Sequence, residues 1–148
     1  MFETVVIATD GSESAKRAIR TALDLAEKFD ATVHALYVVD TDEIETSPEA
    51  IRDDVDSAIR DVGEDALAFV AGETEGEVVT AIEQGAPTTE IIGYARRVDA
   101  DVIAMGTRGR HGEHAFLLGS VAEAVVRRSP IPVLTVRQLE ATDTAESE

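Results

Sequence analysis

Five short β-rich stretches alternate with four helical patterns along this chain, and that alternation leaves few folds open. The stretches are residues 5–9, 32–39, 77–83, 101–105 and 133–136. Val5-Val6-Ile7-Ala8 and Val102-Ile103-Ala104-Met105 are unbroken apolar runs, the pattern of strands covered on both faces. The first helix is expected over residues 12–29, capped by Ser12, with Ala15, Ala18, Ile19, Ala22, Leu23, Ala26 and Phe29 on one face. The second follows Ser47-Pro48 and carries Ile51, Val55, Ala58, Ile59, Val62, Ala66 and Phe69 near helical period. Gly63 inside it costs roughly 1 kcal/mol against alanine. A third helix is expected over 88–98, after the Gly85-Ala86-Pro87 turn, and a fourth over 120–128, ending before Ser129-Pro130. The fold class that follows is α/β: one doubly wound, five-stranded parallel sheet with helices on both faces. Pro130 and Pro132 remove ladder donors beside the last strand and assign it to an edge.

A chain of 148 residues suits a single domain, and its lack of cysteine excludes disulfides, thiolate metal sites and a cysteine nucleophile. The longest apolar run, residues 66–71, is far shorter than a membrane span. Met1-Phe2-Glu3-Thr4 contains no basic stretch of the kind that opens a signal peptide, so a cytoplasmic location is expected. The net charge of −17 argues against nucleic acid or an anionic membrane as partner, since both require a basic face. That charge is unevenly spread. Residues 40–83 hold 15 acids against Arg52 and Arg60, a balance of −13, whereas residues 85–137 hold 5 acids against 7 arginines, a balance of +2. Strong acidity, two lysines and no cysteine together suggest a halophilic-like composition suited to a high-salt cytoplasm. Residues 139–148 read as an acidic, disordered tail.

The segment from Met105 to Val121 carries the chemistry. It leaves the carboxyl end of a buried strand and returns at a helix N-terminus, where open α/β sheets bind their ligands. Glycines let backbone N–H groups approach an anion closely. The N–H groups of Gly119-Ser120-Val121 and the helix dipole favour phosphate, Ser120 adds a hydroxyl, and Arg108 and Arg110 add positive charge. His111 and His114 lack a third ligand and read as a solvated loop, so no metal site is assigned. His34 reads as structural, and Tyr37 and Tyr94 as packing residues. The first strand–helix turn holds one glycine, so neither a dinucleotide fingerprint nor a P-loop is present. Ser120 lies outside any G-x-S-x-G elbow, and spacing alone designates no acid–base pair.

Gly106-x2-Gly109-x9-Gly119-Ser120 resembles the nucleotide-binding motif of the ATP-binding branch of the universal stress proteins. Thr9-Asp10-Gly11-Ser12, Val38 with Asp40, and residues 129–136 are similar to the ends of that family's first, second and last strands. The resemblance covers about residues 2–137. It implies strand order 3-2-1-4-5, a nucleotide-binding domain over residues 1–138, and a homodimer formed through residues 133–136. It further implies ATP as ligand, accompanied by Mg or Mn. Asp10 would then hold the ribose or adenine edge and Val38 the adenine, with Thr9 and Met105 at the neighbouring strand ends. Gly106, Gly109, Gly119, Ser120 and Val121 would hold phosphates, and Arg108 and Arg110 stand where the family often has basic loop residues. Tyr37 replaces a histidine common in the family, and the acidic 40–48 linker has no obvious counterpart. The function implied is a nucleotide-responsive stress or signalling module. A slow ATPase or adenylate-transferring enzyme, and a structural dimer that binds no nucleotide, remain the alternatives.

Overall fold

The computed structural model describes residues 2–107 and 119–137. Five parallel strands form one sheet: β1 (Thr4–Ala8), β2 (Thr32–Asp40), β3 (Val78–Gly85), β4 (Val102–Gly106) and β5 (Val133–Val136). Their order is β3-β2-β1-β4-β5, so the chain winds outward from β1 to each edge in turn. Around the sheet lie α1 (Lys16–Phe29), α2 (Thr41–Glu45), α3 (Arg52–Gly72), α4 (Pro87–Arg97) and α5 (Ser120–Arg128).

The unbroken apolar runs have a direct structural cause. Alternate residues of β1 enter two separate cores. Val5 and Ile7 pack with α1 and α3, while Val6 and Ala8 pack with residues of α4 and α5. The buried face of α1 holds Ala15, at its cap, and Ala18, Ile19, Ala22, Leu23 and Ala26, as its spacing predicts. Phe29 departs from that stripe. It is 47% exposed and sets its ring edge-on to Phe2, with centroids 5.1 Å apart. At the other end of α1, a 3-10 turn at Glu13–Ala15 intervenes, and Ser12 caps no N–H group. Its hydroxyl instead lies 3.2 Å from that of Ser14.

The acidic linker also folds differently from the expectation. Asp40 ends β2 and accepts the N–H of Asp42 at 3.0 Å, starting the short helix α2. The Ser47 hydroxyl donates back to the Glu43 carbonyl at 2.8 Å rather than capping the next helix. A 3-10 turn at Glu49–Ile51 precedes α3, leaving Ile51 exposed, and Val62 also points outward. Gly63 stands where α3 crosses the Tyr37 ring. A Cβ there would lie 2.4 Å from the Tyr37 Cδ2, so the absent side chain makes room for the largest fully buried residue of the core.

On the second face, His34 Nδ1 lies 2.9 Å from the Tyr94 hydroxyl, with the two rings edge-on, which makes both residues structural. Burial lowers the His34 pKa from its ordinary value. Beneath the sheet, the Asp101 carboxylate accepts the N–H groups of Glu3 and Thr4 at 2.7 and 3.0 Å. Those two donors hold its pKa below the usual carboxylate range.

Candidate functional site

In a doubly wound sheet the strand order reverses at the first strand, and the loops leaving the strands on either side separate to form a crevice. Here that point lies between β1 and its neighbours, and a cleft of about 290 Å3 opens at the carboxyl ends of β1, β2 and β4. Its size is close to the lower end of the range for small-molecule sites, about 300–1,000 Å3.

The cleft floor is made by two tight backbone arrangements. After β1, the Thr9 hydroxyl accepts the N–H of Gly11 at 3.2 Å, and the Asp10 carboxylate accepts that of Ser12 at 2.9 Å. Gly11 has φ +81°, in the region glycine favours, and a Cβ there would also lie 2.9 Å from the Val62 Cγ1. Asp10 therefore braces the turn with one oxygen. Its other oxygen carries no hydrogen bond among the described residues. After β4, Gly106 passes so close to the neck of α1 that a Cβ would lie 2.9 Å from the Ser14 carbonyl oxygen.

One wall is apolar and extends the second core. Leu36 and Val38 of β2, Ile91 of α4 and Met105 of β4 line it, and all belong to or pack against the cluster under α4 and α5. Asp40 and Glu43 complete the rim on the β2 side. The opposite wall is the start of α5, where Gly119, Ser120 and Val121 line the cleft. Gly119 is extended, with φ −65° and ψ 161°, so its conformation does not require positive φ. Its N–H is already donated to the Thr107 carbonyl at 2.5 Å. This corrects the expectation of three free amides. The first N–H groups lacking a helical acceptor are those of Ser120 and Val121, at the positive end of the helix dipole.

The structure thus brings Thr9, Asp10, Val38, Met105, Gly106, Gly119, Ser120 and Val121 to one cleft. Arg108, Gly109 and Arg110 lie outside the described residues. Tyr37 is 1% exposed and belongs to the core rather than the cleft wall. Sequence reasoning missed Asp40 and Glu43 as rim residues. The available signal was an acidic N-cap followed three residues later by glutamate, the spacing of a capping box.

The profile of the universal stress protein family matches residues 1–137. The chain belongs to the universal stress protein family. A universal stress protein of Methanocaldococcus jannaschii is 37% identical over 142 residues, which cover 93% of this chain and 84% of that one. Among solved structures, the universal stress protein UspA of Lactobacillus plantarum superposes with a TM-score of 0.78 at 27% identity, covering 92% of this chain and 98% of its own. A universal stress protein in complex with cAMP superposes with a TM-score of 0.68 at 26% identity, over 92% of this chain and 97% of that one. The all-parallel sheet of order 3-2-1-4-5 with flanking helices is the fold of this family. Among the described residues, no helix of this universal stress protein is long and apolar enough to cross a membrane.

Proposed function

We propose that this universal stress protein binds ATP in the cleft at the carboxyl ends of β1, β2 and β4, as a nucleotide-responsive module. The observation that carries the proposal is the pairing of two unlike walls across one opening. Leu36, Val38, Ile91 and Met105 offer an apolar slot for a flat base, and the start of α5 offers amide donors to an anion. A nucleotide has that same division between an apolar end and a charged one. The neighbouring solved structure with cAMP supports a nucleoside phosphate as the ligand class. The second carboxylate oxygen of Asp10, which lines the cleft, would accept a ribose hydroxyl. A Mg or Mn ion accompanying the nucleotide would be carried chiefly by the triphosphate.

Calorimetric titration with ATP, adenosine and tripolyphosphate tests this reading. ATP should bind more tightly than either fragment, because each fragment uses one wall. Equal affinities for ATP and tripolyphosphate would remove the base slot from the account. Absence of ATP binding at millimolar concentration would overturn the proposal.

A further inference from the structure

Three carboxylates line the cleft: Asp10 after β1, Asp40 at the end of β2 and Glu43 on α2. Among the described residues, the lining contains no lysine, arginine or histidine. Asp40 follows Val38 by two residues, so it stands on the same face of β2, just beyond the apolar slot. One of its oxygens accepts the Asp42 N–H at 3.0 Å, which starts α2 and brings Glu43 to the same rim. The amides of Ser120 and Val121 stand across the opening, at the start of α5. Attraction and repulsion of an anion therefore sit at different ends of one cleft of about 290 Å3.

On the reading of this cleft as an ATP site, the division constrains the ribose as well as the phosphates. With the phosphates at α5 and the base between Leu36, Val38, Ile91 and Met105, the sugar is directed to the carboxylate side. A ribose hydroxyl there can donate to a carboxylate. A phosphate in its place brings only negative charge and acceptor oxygens. In doubly wound sites that bind dinucleotides, an acidic residue holds a free 2′-hydroxyl, whereas an arginine accommodates a 2′-phosphate. Among the described residues, the lining of this cleft offers the acids and no arginine.

We propose that Asp40 and Glu43, together with Asp10, make the cleft selective for adenylates whose ribose carries no phosphate. Nucleotides phosphorylated on the 2′ or 3′ oxygen are rejected by charge, since like charges brought together inside a site are strongly unfavourable. Asp40 and Glu43 act here on ligand choice, and α5 on phosphate affinity.

Displacement of ATP by AMP, adenosine 2′,5′-bisphosphate and adenosine 3′,5′-bisphosphate tests this. The titrations are run by calorimetry without divalent cations, which could bridge a phosphate to a carboxylate. AMP should bind the wild type at least about tenfold more tightly than either bisphosphate. Asp40→Asn with Glu43→Gln keeps the side-chain shapes and the α2 cap, and should shrink that preference at least about threefold. Asp61→Asn with Asp65→Asn removes the same charge from exposed α3 positions outside the cleft and should leave the preference intact. Raising KCl to about 1 M should narrow it in the wild type, with no substitution involved. Bisphosphates that bind the wild type as well as AMP does would overturn the proposal and leave the ATP reading standing. A preference that neither salt nor the rim variant reduces would also overturn it, by marking a steric cause, as would an equal reduction by the α3 pair. If neither ATP nor AMP binds the wild type, the ATP reading itself fails and this inference falls with it.

Discussion

At one edge of the sheet β3 runs eight residues beside an acidic helix; at the other, β5 runs four residues after Pro130 and Pro132, within a segment that carries a small positive balance. Both edges hang on the same scaffold, and both strands pair in parallel with an inner neighbour. The cleft lies between these halves and takes something different from each. The β2–α2 side contributes Leu36, Val38 and the carboxylates of Asp40 and Glu43, while the β4–α5 side contributes Met105 and the helix amides. The doubly wound topology explains where the cleft lies and does not require the charge to be partitioned. That partition is a property of this sequence laid over the fold; at the cleft itself it shows as the carboxylates of Asp40 and Glu43 on the β2 side, facing the amides at the start of α5.

Two glycine substitutions, one in each half, break this comparison most sharply. Gly63→Ala drives a Cβ into the Tyr37 ring and should cost about 1–3 kcal/mol as overpacking, partly offset by roughly 1 kcal/mol of helix propensity. ATP affinity should change little. Gly106→Ala meets the Ser14 backbone, which cannot rotate away as a side chain can, and it does so at the cleft floor. It should lower both stability and ATP affinity. Thermal melts and calorimetry on the two proteins separate the two sites, and equal affinity losses would show that the packing of Tyr37 against α3 also sets the position of Leu36 and Val38 in the base slot.

Salt sharpens the same contrast. Raising KCl to about 1 M shortens the screening length from about 10 Å to about 3 Å, so repulsion among the acids of residues 40–83 should weaken and the melting temperature should rise by several degrees. Asp61→Lys with Asp65→Lys should flatten that rise. A wild-type melting temperature that does not depend on salt would show that the acids are far enough apart to ignore one another.

At the opposite edge, we propose that β5 pairs with β5 of a second copy about a two-fold axis. That edge lies in the segment with seven arginines and five acids, so its charge opposes pairing less than that of the acidic helix beside β3 does. Sedimentation should give a dimer at micromolar concentration, and Val133→Pro with Thr135→Pro should shift it to monomer. A wild-type monomer in both low and high salt would end the proposal.

The smallest expected effect is at Asp101, beneath the sheet. Its pKa is depressed by the N–H groups of Glu3 and Thr4, so its stabilising contribution is complete above the ordinary carboxylate value of about 3.9. The contribution is lost as pH falls through the lower folded value. Asp101→Asn should lower stability slightly at neutral pH, where the carboxylate's contribution is complete, and converge with the wild type below about pH 4, which flattens the acid limb.

Much of this was legible in the sequence because strand runs and helical stripes record burial directly. The apolar stripe of α1 from Ala15 to Ala26 follows from that record; the edge position of β5 follows from Pro130 and Pro132, and the strand order is implied by the resemblance to the universal stress proteins. The misreadings share a different cause. Phe29 looks like a core residue by spacing, yet it lies on the last turn of α1, where it stays about half exposed and meets the ring of Phe2 edge-on. The 40–48 stretch looked like a linker because its helix has no buried residue, and only the Asp40 and Glu43 capping pattern marked it. The availability of the Gly119 N–H could not be read at all, since its acceptor, Thr107, is twelve residues away and is brought beside it by the fold.

Phosphate binding in the cleft would depend most on the amides at the start of α5. Ser120 is the first residue of that helix, and Gly119 before it has the extended conformation proline requires of its predecessor, so Ser120→Pro should fold normally while removing one N–H. Ser120→Ala removes the hydroxyl alone. A hydrogen bond from an amide to a charged group contributes about 1.5–3 kcal/mol, so calorimetry should show ATP binding roughly ten- to a hundredfold more weakly to Ser120→Pro than to Ser120→Ala, with adenosine affinity the same in both. If the two variants bind ATP equally, the helix terminus does not hold the phosphates and the cleft's proposed role is contradicted.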